Sequence, residues 1–153
     1  MESVKADILK EIERLRQETG SDFAGLGWID SSVRRMAWRF ALGSVSTRTL
    51  NMTQRINAGL SGAAIRSGRP ALMSPNAFDA AGQREAEPVM LAESLQAAAV
   101  LPLCAAGDIR GVLLLGRRSG SFYTREELDQ AFAQVEKLAG RMLQLQAMQL
   151  GIS

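Results

Sequence analysis

Two apolar runs, residues 97–103 and 109–115, flank the turn-forming stretch Ala105-Ala106-Gly107-Asp108. Runs of this length with so short a connection predict an antiparallel hairpin, and their near-continuous apolarity puts it at the centre of a sheet covered on both faces. The rest of the chain must therefore supply the covers.

Val4, Ile8, Ile12 and Leu15 recur at helical spacing, so residues 3–18 read as an amphipathic helix that stops at Gly20. Residues 23–29 and 35–41 predict a second hairpin around Asp30-Ser31-Ser32. Residues 44–55 read as a loop entering a short strand, and residues 60–67 as a small helix. Gly68 suits the left-handed position after that helix, and Pro70 blocks its continuation. Ala71-Leu72-Met73 is a short strand candidate, followed by a flexible stretch up to Glu87; Pro88 then opens a short helix reaching Leu95. Thr124-Arg125-Glu126-Glu127 has capping-box spacing, and Leu128, Phe132, Val135, Leu138, Met142 and Leu145 continue as one long stripe. Strands paired in hairpins, without strand-helix-strand alternation, define an α+β class: an antiparallel sheet with both terminal helices on one face. Residues 1–153 are expected to form one domain.

Composition narrows the function. The 18 basic and 16 acidic residues are scattered, whereas nucleic-acid binders concentrate Lys and Arg in a stripe, so no nucleic-acid partner is expected. No apolar stretch approaches the length of a membrane span, and the first residues lack the pattern of a signal peptide; a cytoplasmic location is the expectation. With no histidine and one cysteine, Ser-His or Cys-His catalysis and a multi-cysteine metal site cannot be built. No catalytic residue, metal or cofactor is expected.

The order of elements resembles the GAF family, through the opening helix with Ser21-Asp22-Phe23, the Gly59-Leu60-Ser61-Gly62 helix start with its Ser67-Gly68-Arg69-Pro70 exit, Val100-Leu101-Pro102-Leu103, and Ile109-Arg110-Gly111-Val112-Leu113 before the capped last helix. The resemblance implies a GAF-like sheet with terminal helices on one face, and small helices and loops around a ligand pocket on the other. Trp38-Arg39-Phe40, Gly43, Arg48, Arg55 and Gly59-Leu60-Ser61-Gly62 further resemble the single-domain nitrate-sensor GAF proteins of bacterial nitrate-regulatory (Nre) two-component systems. That resemblance implies a nitrate site formed by the Trp38 indole and by backbone around Leu60, Ser61 and Val89, and a sensor histidine kinase as the partner that the domain modulates.

The chemistry is independently reasonable. Nitrate is a flat acceptor-only anion, and helix starts at Leu60-Ser61 and Pro88-Val89 offer free N–H groups with a favourable dipole. Two positions depart from the pattern: Ser61 stands where those sensors usually have alanine, and Glu87 where an aromatic residue is common. A carboxylate at Glu87 repels an anion unless it points to solvent.

Each candidate has a plainer reading. Trp38 in a strand also serves as core, and Trp28 is expected to pack under a terminal helix. Arg48 and Arg55 either draw in an anion or tie down their loop. Gly59-Leu60-Ser61-Gly62 lacks the Lys-Ser/Thr ending of a phosphate loop, and close helix–sheet packing explains its glycines. Cys104 invites comparison with GAF-type free methionine sulfoxide reductases, which need several cysteines; a single buried-looking thiol is a small hydrophobe. Phe132, Met142, Leu143, Leu145, Met148 and Leu150 exceed what one face requires, which suggests a homodimer or kinase-docking surface. The alternatives to a sensor are an interaction module with a vestigial pocket that dimerises through the terminal helices and, less favoured, a free methionine sulfoxide reductase.

Overall fold

A computed structural model describes residues 1–73 and 76–151. Its strands are β1 (Phe23–Asp30), β2 (Arg35–Leu42), β3 (Thr53–Arg55), β4 (Ala71–Leu72), β5 (Ala97–Ala105) and β6 (Asp108–Arg117), with helices α1 (Glu2–Glu18), α2 (Gly59–Ser67), α3 (Ala77–Glu85), α4 (Pro88–Ala92), α5 (Arg125–Phe132) and α6 (Glu136–Gln149). All pairings are antiparallel, in the order β3-β2-β1-β6-β5-β4. The hairpin of apolar runs accordingly supplies two inner strands.

Alternation along the inner strands sends Ala24, Leu26, Trp28, Leu101, Leu103, Leu113 and Leu115 to one face, under α1, α5 and α6. Phe23, Val100, Val112 and Leu114 go to the other, under α2 and α4. α1 buries Val4, Ile8, Ile12 and Leu15, the four residues that announced it. A register shift after Leu26 pairs it with Phe40 and Gly27 with Trp38, leaving Arg39 as the extra residue of a bulge. The bulge changes the parity of β2: Met36 and Trp38 face α2, whereas Phe40 and Leu42 pack on the α1 side. Trp28 meets the expectation for it, buried beneath the terminal helices with its indole N–H on Gln146 Oε1 at 3.3 Å.

Three segments differ from expectation. The stretch before Glu87 holds α3, whose first-turn Asp79 N–H is capped by Asn76 Oδ1 at 3.2 Å; residues 74–75 of that stretch lie outside the described residues. Its alanines, glutamine and arginine are good helix formers, and these outweigh Gly82. α4 is shorter than expected and ends at Ala92, before Ser94 takes a positive φ of 57°. The last helix is two: the capping box opens α5, and the chain breaks at residues 133–135 before α6. No proline or glycine forces that break. Packing does, since Val135 sinks into the core at the break and Arg14 of α1 donates to the Gln134 side chain.

Among the described residues, no helix is long and apolar enough to cross a membrane.

Candidate anion cradle

The site is built where the start of α2 meets the end of the loop entering α4. β3 alternates Thr53 out, Gln54 in, Arg55 out, and the β2–β3 register sets Gln54 against Met36, beside Trp38. The Trp38 indole N–H donates to Gln54 Oε1 at 3.3 Å, and Gln54 Nε2 donates to Glu87 Oε2 at 2.7 Å. From the opposite side the Ser61 backbone N–H, in the first turn of α2, donates to Glu87 Oε1 at 2.8 Å. Glu87 is 0% exposed, so its side chain points inward and both oxygens are held by neutral donors.

No cation is paired with Glu87 in any ion pair of the described residues. Burial accordingly pushes its pKa above the ordinary carboxylate value, against the lowering effect of the Ser61 and Gln54 hydrogen bonds. The carboxylate also supplies what α2 lacks. Ala58 at the N-cap has no side-chain cap, and a carboxylate at a helix N-terminus is favoured by the helix dipole. The backbone of Glu87 is itself the N-cap of α4, so one residue links the start of α4 to the first turn of α2 through its side chain.

Glycine makes this approach possible. A Cβ at Gly59, where φ is 62°, would fall 2.6 Å from the Ala86 carbonyl oxygen and 3.2 Å from Glu87 Oε1; one at Gly62 would fall 2.3 Å from the Asn57 carbonyl carbon. Only a bare backbone lets α2 lie this close to the chain on either side. Ser61 Oγ is buried and meets no partner in good hydrogen-bond geometry, although its hydroxyl lies near enough to the Glu87 carboxyl to favour the ionised form. On the outer side of α2 an open cleft of about 460 Å³ is lined by Gly59, Leu60, Ala63, Gly82 and Ala86 together with Asp79.

Trp38, Leu60 and Val89 are buried in one apolar cluster, and Ser61 is buried in the first turn of α2. Arg48 is exposed on the loop before β3, its backbone N–H on Ser46 Oγ, and no contact joins it to the cradle. Gln54 and Glu87 are the members that sequence reasoning missed as ligands. The signal for Gln54 was its period-2 place between Met52 and Ile56; for Glu87 it was its position before Pro88, where N-cap side chains turn toward helix amides.

Cys104 corrects another expectation. It is exposed, one residue past Leu103, where the buried run of β5 ends. Among the described residues no three acidic or sulfur side chains gather as a metal site.

A second buried carboxylate, Glu93, follows α4. It accepts Val45 N–H at 2.8 Å, the Ser44 and Thr49 hydroxyls, and Arg118 NH2 at 3.1 Å, while Arg118 also donates to the Glu93 and Gly43 carbonyls. This residue straps the loop after β2 to the end of β6.

A family model for the GAF domain matches residues 4–144, and the chain belongs to that family. Among solved structures it is similar to an NreA protein from Staphylococcus aureus mutated in its nitrate-binding site, at 25% identity over 76% of this chain and 92% of that one, with a TM-score of 0.62. The fold also matches the GAF-B domain of DevS from Mycobacterium smegmatis, with 20% identity, 97% and 98% coverage and a TM-score of 0.70. A type II free methionine-R-sulfoxide reductase from Thermoplasma acidophilum shares it at 12% identity, 92% coverage of both chains and a TM-score of 0.71. No curated protein matches by sequence.

Proposed function

We propose that this GAF domain is a small-ligand sensor whose anion cradle is occupied at rest by its own Glu87 carboxylate, and that nitrate, or another small planar oxyanion, acts by taking that carboxylate's place. One observation carries the reading. The Ser61 N–H, one of the donors expected to hold an anion, already holds a carboxylate, together with a Gln54 amide to which the Trp38 indole donates. A carboxylate and a nitrate are both flat and acceptor-only, so the same donors suit either.

The two anions exclude each other. Nitrate about 4 Å from an ionised Glu87 is opposed by about 4 kcal/mol at an effective dielectric constant of 20, which cancels one or two charge-assisted hydrogen bonds of about 1.5–3 kcal/mol each. Nitrate therefore enters only as Glu87 leaves or takes a proton. Such an exchange gives the differential affinity between two conformations that any sensor requires. Likeness to NreA makes nitrate the first candidate. The downstream reading is that exchange alters how the domain meets a sensor histidine kinase in the cytoplasm. The C-terminal end of α6, where Met148 and Leu150 remain exposed beside α1, is the contact proposed for a kinase or a second copy of the chain.

A second reading keeps the fold and drops the ligand: an interaction module whose pocket Glu87 seals permanently. The complete burial of Glu87 favours it.

Calorimetric and tryptophan-fluorescence titrations with nitrate, acetate and chloride separate the two. Glu87→Ala vacates the cradle and is expected to bind acetate and nitrate at least roughly tenfold more tightly than the wild type, with Trp38→Phe in that background weakening both. Failure of Glu87→Ala to bind either anion sinks the cradle itself. Binding by the variant, with a wild type that stays silent at saturating nitrate down to mildly acidic pH, establishes the sealed module instead.

A further inference from the structure

Where β3 ends, the β2–β3 ladder makes an arrangement that costs stability with no visible return. The β2–β3 register sets Arg35 directly opposite Arg55, and both side chains are exposed. Like charges facing each other across a ladder are destabilising. Next to them Arg34 holds a φ of 54°, a left-handed backbone that a side chain of this size rarely adopts, and its carbonyl accepts the Ile56 N–H at 3.4 Å. Val33, Arg34, Arg35, Arg55, Ile56 and Asn57 together line a cleft of about 300 Å³.

The charge there is not neutralised from within. Among the described residues, the ion pairs engage Lys5, Arg14, Arg16, Arg110, Arg117, Arg118 and Arg141, and none engages Arg34, Arg35 or Arg55. Arg35 directs Nε and NH2 to the Thr53 hydroxyl at 3.2 and 3.0 Å, which positions its guanidinium without compensating it. The acid across the other ladder, Asp30, holds the Ser32 N–H and hydroxyl with Oδ1. A fourth guanidinium, Arg66, reaches the rim by donating to the Asn57 carbonyl at 2.9 Å. Uncompensated like charge in one cleft is a cost that a bound counter-charge would offset.

We propose that this cleft binds a phosphate group in its dianionic form, free or as the monoester of a small molecule. Three guanidinium forks can meet the oxygens of a tetrahedral dianion from several directions, and arginine matches phosphate with paired N–H donors. A monoanion such as nitrate leaves most of that charge unmet, so this site and the Glu87 cradle select different ligands and can be tested separately. The cleft is at the small end of ligand pockets, which fits a phosphate group better than a bulky ligand.

The test is calorimetric titration of the full chain, at low ionic strength and neutral pH, with inorganic phosphate, a nucleoside monophosphate and sodium nitrate. Saturable binding of phosphate or the monophosphate, at least roughly tenfold tighter than nitrate, is expected. Tighter binding of the monophosphate identifies an ester as the ligand; equal binding identifies free phosphate. The double variant Arg34→Gln, Arg55→Gln should lose that binding, whereas Arg69→Gln, which removes an exposed arginine outside this cleft, should keep it. Arg55→Gln alone should melt at a higher temperature than the wild type at low salt, and added phosphate should raise the wild-type melting temperature but not that of the double variant. Binding that is absent, equal for nitrate and phosphate, or lost equally in Arg69→Gln overturns the proposal, as does a lower melting temperature for Arg55→Gln.

Discussion

Glu87 and Glu93 lie six residues apart, both fully buried, yet they are held in opposite ways. Glu93 is met by a guanidinium and three donors from one loop, so its charge is compensated where it sits. Glu87 has one backbone N–H and one neutral amide, and no cation. A buried carboxylate with its counter-ion is a structural strap, and removing it strands a charge. One held only by neutral donors can be replaced by any other acceptor of similar shape. This difference separates scaffold from site within a single segment of chain.

The comparison breaks most visibly if the strap is cut. Glu93→Ala should lower unfolding free energy by about 3 kcal/mol in urea titrations, because Arg118 and the loop donors lose their common acceptor. A loss no larger than that of Glu87→Ala would abolish the distinction between the two. A smaller effect is expected at the cradle: Trp38→Phe leaves Gln54 Oε1 without its indole donor and should cost about 1–2 kcal/mol by the same measurement.

The subtlest effect lies in pH. Because the folded-state pKa of Glu87 is raised, its contribution to stability is complete below the ordinary carboxylate range and is lost as pH rises through the raised value. Glu87→Gln cannot titrate and should remove that decline, which can reach about 1.4 kcal/mol per pH unit within the window. Thermal melts from acid to neutral pH should therefore show the variant gaining on the wild type as pH rises. A constant gap between them would mean that Glu87 titrates normally. The same proton bears on nitrate, whose affinity for the wild type should increase toward acid pH in calorimetric titrations.

Most of the architecture was legible because period and punctuation agree in this chain. α1 and the strands follow their apolar spacing, Gly68 ends α2 in the left-handed conformation, and the Thr124–Glu127 box opens α5. Apart from α3, whose own residues favour a helix, what escaped depended on contacts distant in sequence. The α5–α6 break is set by packing against α1, and the parity change at Arg39 by pairing between strands. At the site, residue types read in isolation point to the Ser61 amide but not to Gln54 or to their guest. Glu87, 26 residues beyond Ser61, reads as a repulsive neighbour and not as the carboxylate that this amide holds.

The glycines flanking Ser61 fix the calibre of this receptor. With Gly59 against the Ala86 carbonyl and Gly62 against the Asn57 carbonyl, main chain touches main chain on both sides, so no side-chain rotation can widen the throat. On the proposed reading, admission by size is thereby written into the backbone. A bulkier guest would require α2 to shift as a whole, a movement that a neighbouring protein could feel.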